Sequence, residues 1–197
     1  YAEVNFFEPH RPFDYGNVKP FRSKGVFVPK YIPNNHHSRK EFASMQGAIK
    51  KMDESVAKII NILKEKNLYD NTIIIFTTDH GIPFPRAKGT LYDAGIESSL
   101  IISYPILKLK NKKLKELISN IDILPTLLDF AKIKIPNTIQ GKSFYPLIIN
   151  KKYIENKQIF AEKTYHDLFD PIRCIRNKNY SRLLQRTRAI IFISLSV

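Results

Sequence analysis

The chain has 197 residues, of which 43% are hydrophobic and 25% charged. That is a globular balance, which excludes a disordered tail, and at roughly 100–200 residues per domain it allows one domain or a piece of a larger one. Lys and Arg number 32 against 18 Asp and Glu, a formal charge of +14, but the lysines are spread over helices and connectors. No basic stripe interleaved with aromatics appears, which argues against nucleic acid as a partner. A single cysteine, Cys174, excludes an internal disulfide framework and a cysteine-only metal site. No apolar run approaches the ~18–20 residues of a membrane span. The sequence opens Tyr-Ala-Glu-Val with neither Met nor leader, which reads as a true start lying upstream.

In chain order, Tyr1–Phe7 is rich in β-formers and predicts a short strand. Pro9 and Pro12 exclude helix from Glu8–Phe13 and predict an extended loop. Residues 14–40, with Pro20, Pro29 and Pro33, read as a long surface loop of the kind that carries function or forms a lid. From about Arg39 to Lys66, Phe42, Met45, Ile49, Met52, Val56, Ile59, Ile60 and Leu63 recur at helical steps, with Ser38 as N-cap and Glu41 three residues on. After a turn at Asn67–Asn71, the β-branched run Thr72–Thr77 predicts a strand buried on both faces. Helix, short turn and buried strand make half of a parallel α/β unit.

A Pro/Gly-punctuated loop follows to about Glu97, then a second core strand at Ser99–Tyr104 and a charged connector at Lys108–Lys115. Ile121–Ala131 predicts a helix with Pro125 near its start. Gly141–Ile149 reads as a packing loop, and Gln158–Ala161 and Ile172–Asn179 as short strands. Residues 181–197 carry three Arg and then an apolar run that fits poorly onto what precedes it. The expected organisation is a partial domain over 1–180 and a divergent tail with the look of a frameshift.

The chemistry centres on Asp79 and His80. They stand at the carboxyl end of the Thr72–Thr77 strand, where open α/β sheets bind ligands. A carboxylate and an imidazole there can both reach a divalent cation. Spacing alone equally suits a turn-capping Asp beside a loop His. The loop Pro83–Thr90 adds Arg86 and Lys88, cations suited to sulfate or phosphate. Glu8–Phe13 adds His10 for proton transfer and Arg11 for anion contact. His36 and His37 read as surface residues, Cys174 as a small buried hydrophobe.

Thr77-Thr78-Asp79-His80-Gly81 followed by Lys88–Glu97 resembles the C-terminal half of the sulfatase catalytic domain. So do Pro9–Phe13, Gly47–Asp53, Asp122–Leu128, Gly141–Phe144 and Ala161–Asp167, in order, over most of the chain. Within the family the segment Gly-Ile-Pro-Phe-Pro after the metal pair is similar to the sulfamidase and iduronate-sulfatase type. The resemblance implies an α/β fold of the alkaline-phosphatase-like type, a mixed sheet flanked by helices, here without its N-terminal half.

It further implies hydrolysis of sulfuric esters or sulfamates by a formylglycine nucleophile aided by Ca2+. Asp79 and His80 match metal ligands, Lys88 the sulfate-contacting lysine and His10 the active-site histidine. Arg11, Arg86 and His166 fall where substrate contacts are expected, and the partner implied is a sulfated carbohydrate or another sulfate ester. Family members are usually exported or lysosomal. The sequence departs from the family in lacking the Cys/Ser-x-Pro/Ala-x-Arg motif and the paired N-terminal aspartates, and Cys174-Ile175-Arg176 does not match. The chain by itself is therefore expected to be inert. Two alternatives stay open: an inactive sulfatase-like binder of sulfated glycans, and a related phosphodiesterase of the same superfamily.

Overall fold

The computed structural model describes residues 1–108 and 112–185. They form two compact units: Tyr1–Lys88 with Ser98–Lys108, and Gly89–Glu97 with the described part of Leu109–Val197.

The first unit is organised by helix α1 (His36–Glu65). Its cap is Asn35 rather than the expected Ser38: Asn35 Oδ1 accepts from Ser38 N at 3.0 Å, while the Ser38 hydroxyl turns back to the Pro33 carbonyl. The helix therefore starts three residues earlier than its apolar periodicity indicates, because a cap is set by one local acceptor and not by the buried stripe. Phe42, Met45 and Ala48 on α1 pack with Phe13 and Phe84 to make the core, and Val18, Val26, Val28, Ile32 and Ile82 close around it. The 14–40 segment is thus not a detached lid. Gln46 Nε2 donates to the carbonyls of Phe21 and Gly25 at 3.1 and 3.0 Å, and Phe21 N donates to Ala43 O at 2.9 Å. Gly47 is required by this strap, since a Cβ there would lie 2.1 Å from the Lys19 carbonyl oxygen.

Strand β1 (Ile74–Thr77) pairs antiparallel with β2 (Leu100–Ser103), Ile74 opposite Ser103 and Thr77 opposite Leu100. Neither the two-sided burial nor the parallel pairing expected of this run is seen among the described residues: Ile74, Ile75 and Phe76 are half-buried. An all-apolar run specifies a buried strand but carries no information on its partner's direction. Tyr1–Phe7 forms no strand either. Its first five side chains are exposed, and β-formers without a pleated surface to pack on have little reason to extend into a sheet.

The second unit contains the short helix α2 (Asp93–Ile96), then α3 (Ile123–Phe130), α4 (Tyr145–Ile148) and the antiparallel meander β3 (Ile159–Tyr165), β4 (Phe169–Arg176), β5 (Ser181–Gln185). Its hub is Asp122, 2% exposed, which accepts from Ser119 N, Lys142 N and Asn156 Nδ2 at 2.7–3.0 Å. Thr126 Oγ1 donates to the Asp122 carbonyl and accepts from Phe144 N, so the α3 start holds the α4 start. The packing loop expected at Gly141–Ile149 therefore contains a helical turn, α4. Ser181–Gln185, expected to begin an unrelated tail, lies in register along β4 with Leu183 opposite Cys174; the rest of that tail, 186–197, falls outside the described residues.

Candidate active site

The carboxyl end of β1 is tied to β2 by Thr78: its N–H donates to Ser99 O at 3.2 Å and its hydroxyl accepts from Ser99 N at 2.9 Å. Asp79 and His80 follow at once. Asp79 Oδ1 accepts from His80 N at 2.9 Å, and its side chain is 85% exposed. His80 Nδ1 lies 2.7 Å from Gly81 O and its Nε2 3.5 Å from Asp79 Oδ2, an ion pair when the imidazole is protonated. A carboxylate and an imidazole side by side are donor types that a divalent ion accepts. Among the described residues no group of three or more His, Cys, Asp and Glu side chains gathers to complete such a site.

The loop after His80 folds back on itself. Lys88 N and Phe84 N both donate to Ile82 O, at 3.1 and 2.9 Å, so Lys88 returns to within two positions of His80. Phe84 anchors the loop: its ring lies on Phe42, centroids 4.0 Å apart and planes within 7°, and near Phe13 at 6.0 Å. The structure brings Lys88 and His10 together, Nζ to Nε2 at 3.3 Å. His10 Nδ1 is 2.6 Å from the Arg11 carbonyl, which turns Nε2 toward the lysine.

Arg11 clamps these two loops. Its Nε donates to Pro83 O at 3.1 Å, Nη1 pairs with Glu41 on α1 at 2.6 Å, and the guanidinium lies 4.5 and 4.8 Å from the Phe13 and Phe84 rings. Glu41, expected as the capping-box partner of Ser38, pairs instead with Arg11, since the cap is Asn35; the core role of Phe84 has its signal in an aromatic between two prolines, Pro83-Phe84-Pro85. Arg86, with φ of 63°, borders a cleft of about 350 Å³ with Arg11, Tyr31, His37 and Phe84. His166 belongs to the second unit, at the β3–β4 turn, with Nδ1 2.9 Å from Asp167 Oδ2 and its ring against Gly89.

Cys174 does not fit the role of a formylglycine precursor. It is 1% exposed on β4, and burial, reinforced by the Asp93 carboxylate, pushes its thiol above the ordinary value. No helix among the described residues is long and apolar enough to cross a membrane.

Residues 4–133 match the family model Sulfatase, and 84–193 match N-sulphoglucosamine sulphohydrolase, C-terminal. An ulvan-active sulfatase of Formosa agariphila is 32% identical over 78% of this chain and 25% of its own length. The human N-sulphoglucosamine sulphohydrolase is 26% identical over 79% of this chain and 33% of its own length. The structure of a 2-O GAG sulfatase superposes with a TM-score of 0.69 at 24% identity, covering 77% of this chain and 35% of that one. A phosphonate monoester hydrolase of Silicibacter pomeroyi does so at 0.67 and 24%, covering 81% and 36%. These likenesses give the alkaline-phosphatase-like fold of sulfatases, and the chain spans about a quarter to a third of the length of these relatives. With a family model matched over residues 4–133, the chain belongs to the sulfatase family.

Proposed function

We propose that this chain forms part of a hydrolase of sulfuric esters or sulfamates, carrying the sulfate-binding and leaving-group side of the site. The observation that supports this most is the Lys88–His10 contact at 3.3 Å, made by two loops that the Phe84–Phe42 stack and the Arg11 clamp hold in place.

In this reading the Lys88 ammonium holds a sulfate oxygen as a fixed point charge in place before the reaction. His10, with Nδ1 held at the Arg11 carbonyl, presents Nε2 to the leaving oxygen or nitrogen; as the imidazolium, with Lys88 turned from Nε2 onto the sulfate, it delivers the Nε2 proton as the bond to sulfur breaks and is left as the neutral imidazole. Arg11 keeps His10 and Lys88 in register and Arg86 contributes to substrate selection; in the second unit, taken by itself, His166 is a separate candidate for a substrate contact. A divalent cation such as Ca2+ at Asp79 and His80 would supply Lewis-acid polarisation of the sulfate, and a formylglycine, for which this sequence has no motif, the attacking oxygen. The substrate class proposed is a sulfated carbohydrate or another sulfate ester.

One further reading has support in the sequence: with formal charge +14 and no nucleophile motif, the chain alone would bind sulfated glycans without turnover. Sulfate release by the full-length enzyme carrying this segment tests the main reading. Hydrolysis of an aryl sulfate or a sulfated glucosamine is expected, and its absence with metal and formylglycine both in place would overturn it. Retention of the isolated chain on heparin, with no sulfate released, would support the second.

A further inference from the structure

Two aromatic rings stand in the open beside His10. The Phe7 ring is 5.4 Å from the His10 imidazole, with planes at 52°, and 4.6 Å from the Tyr15 ring, with planes at 45°. Phe7 is 46% exposed and Tyr15 60%, whereas Phe13, in the same loop, is 5% exposed in the core. Their placement is local. His10 N donates to Phe7 O at 2.9 Å and Tyr15 N to Pro12 O at 3.3 Å, so two successive turns set Phe7, His10 and Tyr15 side by side. The loop therefore turns one aromatic into the core and leaves two at the surface next to the imidazole that meets Lys88.

We propose that Phe7 and Tyr15 form a stacking surface for the sugar ring that bears the scissile sulfate, and so set the preference for a sulfated carbohydrate. The inference rests on the reading of His10 and Lys88 as the sulfate-binding pair. A sulfated sugar joins an anion to a ring through a single bridging atom, and the ring offers an apolar C–H face between its hydroxyl edges. With the anion at Lys88 and His10, the attached ring falls within about a ring's width of the imidazole, where Phe7 stands. Flat aromatic side chains provide apolar contact at small entropy cost and accept a ring face offset from their own, and the Tyr15 hydroxyl adds a polar group for the sugar edge.

The test is calorimetry on the full-length enzyme carrying this segment, with N,6-O-disulfated glucosamine and inorganic sulfate as separate probes. Phe7→Ala and Tyr15→Ala are each expected to weaken the sugar about 3- to 10-fold, to leave inorganic sulfate within about 2-fold, and Phe7→Trp to keep the sugar affinity. Equal losses on both probes would make the rings packing groups, and an unchanged sugar affinity would remove them from the subsite; either overturns the proposal. Lys88→Ala separates this from the underlying reading. If it leaves inorganic sulfate binding intact, the sulfate-site assignment fails; if it abolishes that binding while Phe7→Ala leaves the sugar unaffected, only the stacking surface fails.

Discussion

Lys88 donates to the Nε2 of His10 across 3.3 Å, although 78 positions separate the two residues. Neither side chain lies on a helix or strand; both depend on loops pinned at Phe84 and Arg11. That dependence makes the site open to tests of its chemistry and of its support separately.

In the enzyme joined to a formylglycine-bearing half, Lys88→Ala is expected to lower kcat/KM for a sulfate ester by ~10²-fold or more, the usual effect of removing one preorganised charge. Steady-state kinetics checks it, and an unchanged rate would remove Lys88 from the site.

The isolated chain is expected to release no sulfate from aryl sulfates or sulfamates with Ca2+ present, since it has no formylglycine motif. Measurable turnover in a sulfate-release assay would refute this.

Phe84→Ala removes a side chain 7% exposed and stacked on Phe42. A loss of about 3–5 kcal/mol in the first unit is expected from urea unfolding, as for other buried Phe truncations. Phe84→Leu should retain most of the stability, and weaker sulfate binding in that variant would report the loosened loop.

Asp122→Ala leaves the Ser119 and Lys142 amides and the Asn156 side chain without their buried acceptor. At about 1–3 kcal/mol for each stranded donor, a cost of about 3 kcal/mol or more is expected in the second unit, read by hydrogen exchange of the α3 amides. Exchange unchanged from the parent would contradict the hub role.

How much of this was legible beforehand differs residue by residue. Phe42, Met45 and Met52 on α1 declare their buried face through 3.6-residue periodicity, whereas Ile49 of the same stripe is exposed, because periodicity marks an apolar face wider than the part that packs; Asp79-His80 declares its place through the apolar strand before it. The direction of β1 pairing was not legible, because Thr72–Thr77 carries no alternation to mark a partner. Nor was the Arg11–Glu41 pair, since a contact between a loop and a helix leaves no periodic trace. The stretch 181–197 reads as ill-fitting because its arginines break the apolar pattern, yet Arg182, on β5, is tolerated by an antiparallel strand with one exposed face.

Alkaline pH should unfold the second unit before neutral pH does. Burial first, then the Asp93 carboxylate, raises the Cys174 thiol above its ordinary 9.0, with Arg176 opposing; burial and then the Asp122, Glu155 and Glu116 carboxylates raise Tyr153 above its ordinary 10.0. Groups whose folded value is raised give stability that is intact below the unfolded value and lost as pH rises through the folded one. Chemical denaturation midpoints should therefore fall as pH rises from about 9, and less steeply in Cys174→Ala. A midpoint that rises over that range would contradict the assignment.

The most direct measurement is a double-mutant cycle on His10 and Lys88 in the formylglycine-bearing enzyme, following kcat/KM for one sulfate ester. If both side chains act on the same bound sulfate, the combined His10→Ala, Lys88→Ala enzyme loses clearly less than the product of the two single losses. Losses that multiply as for independent sites would contradict a shared pocket.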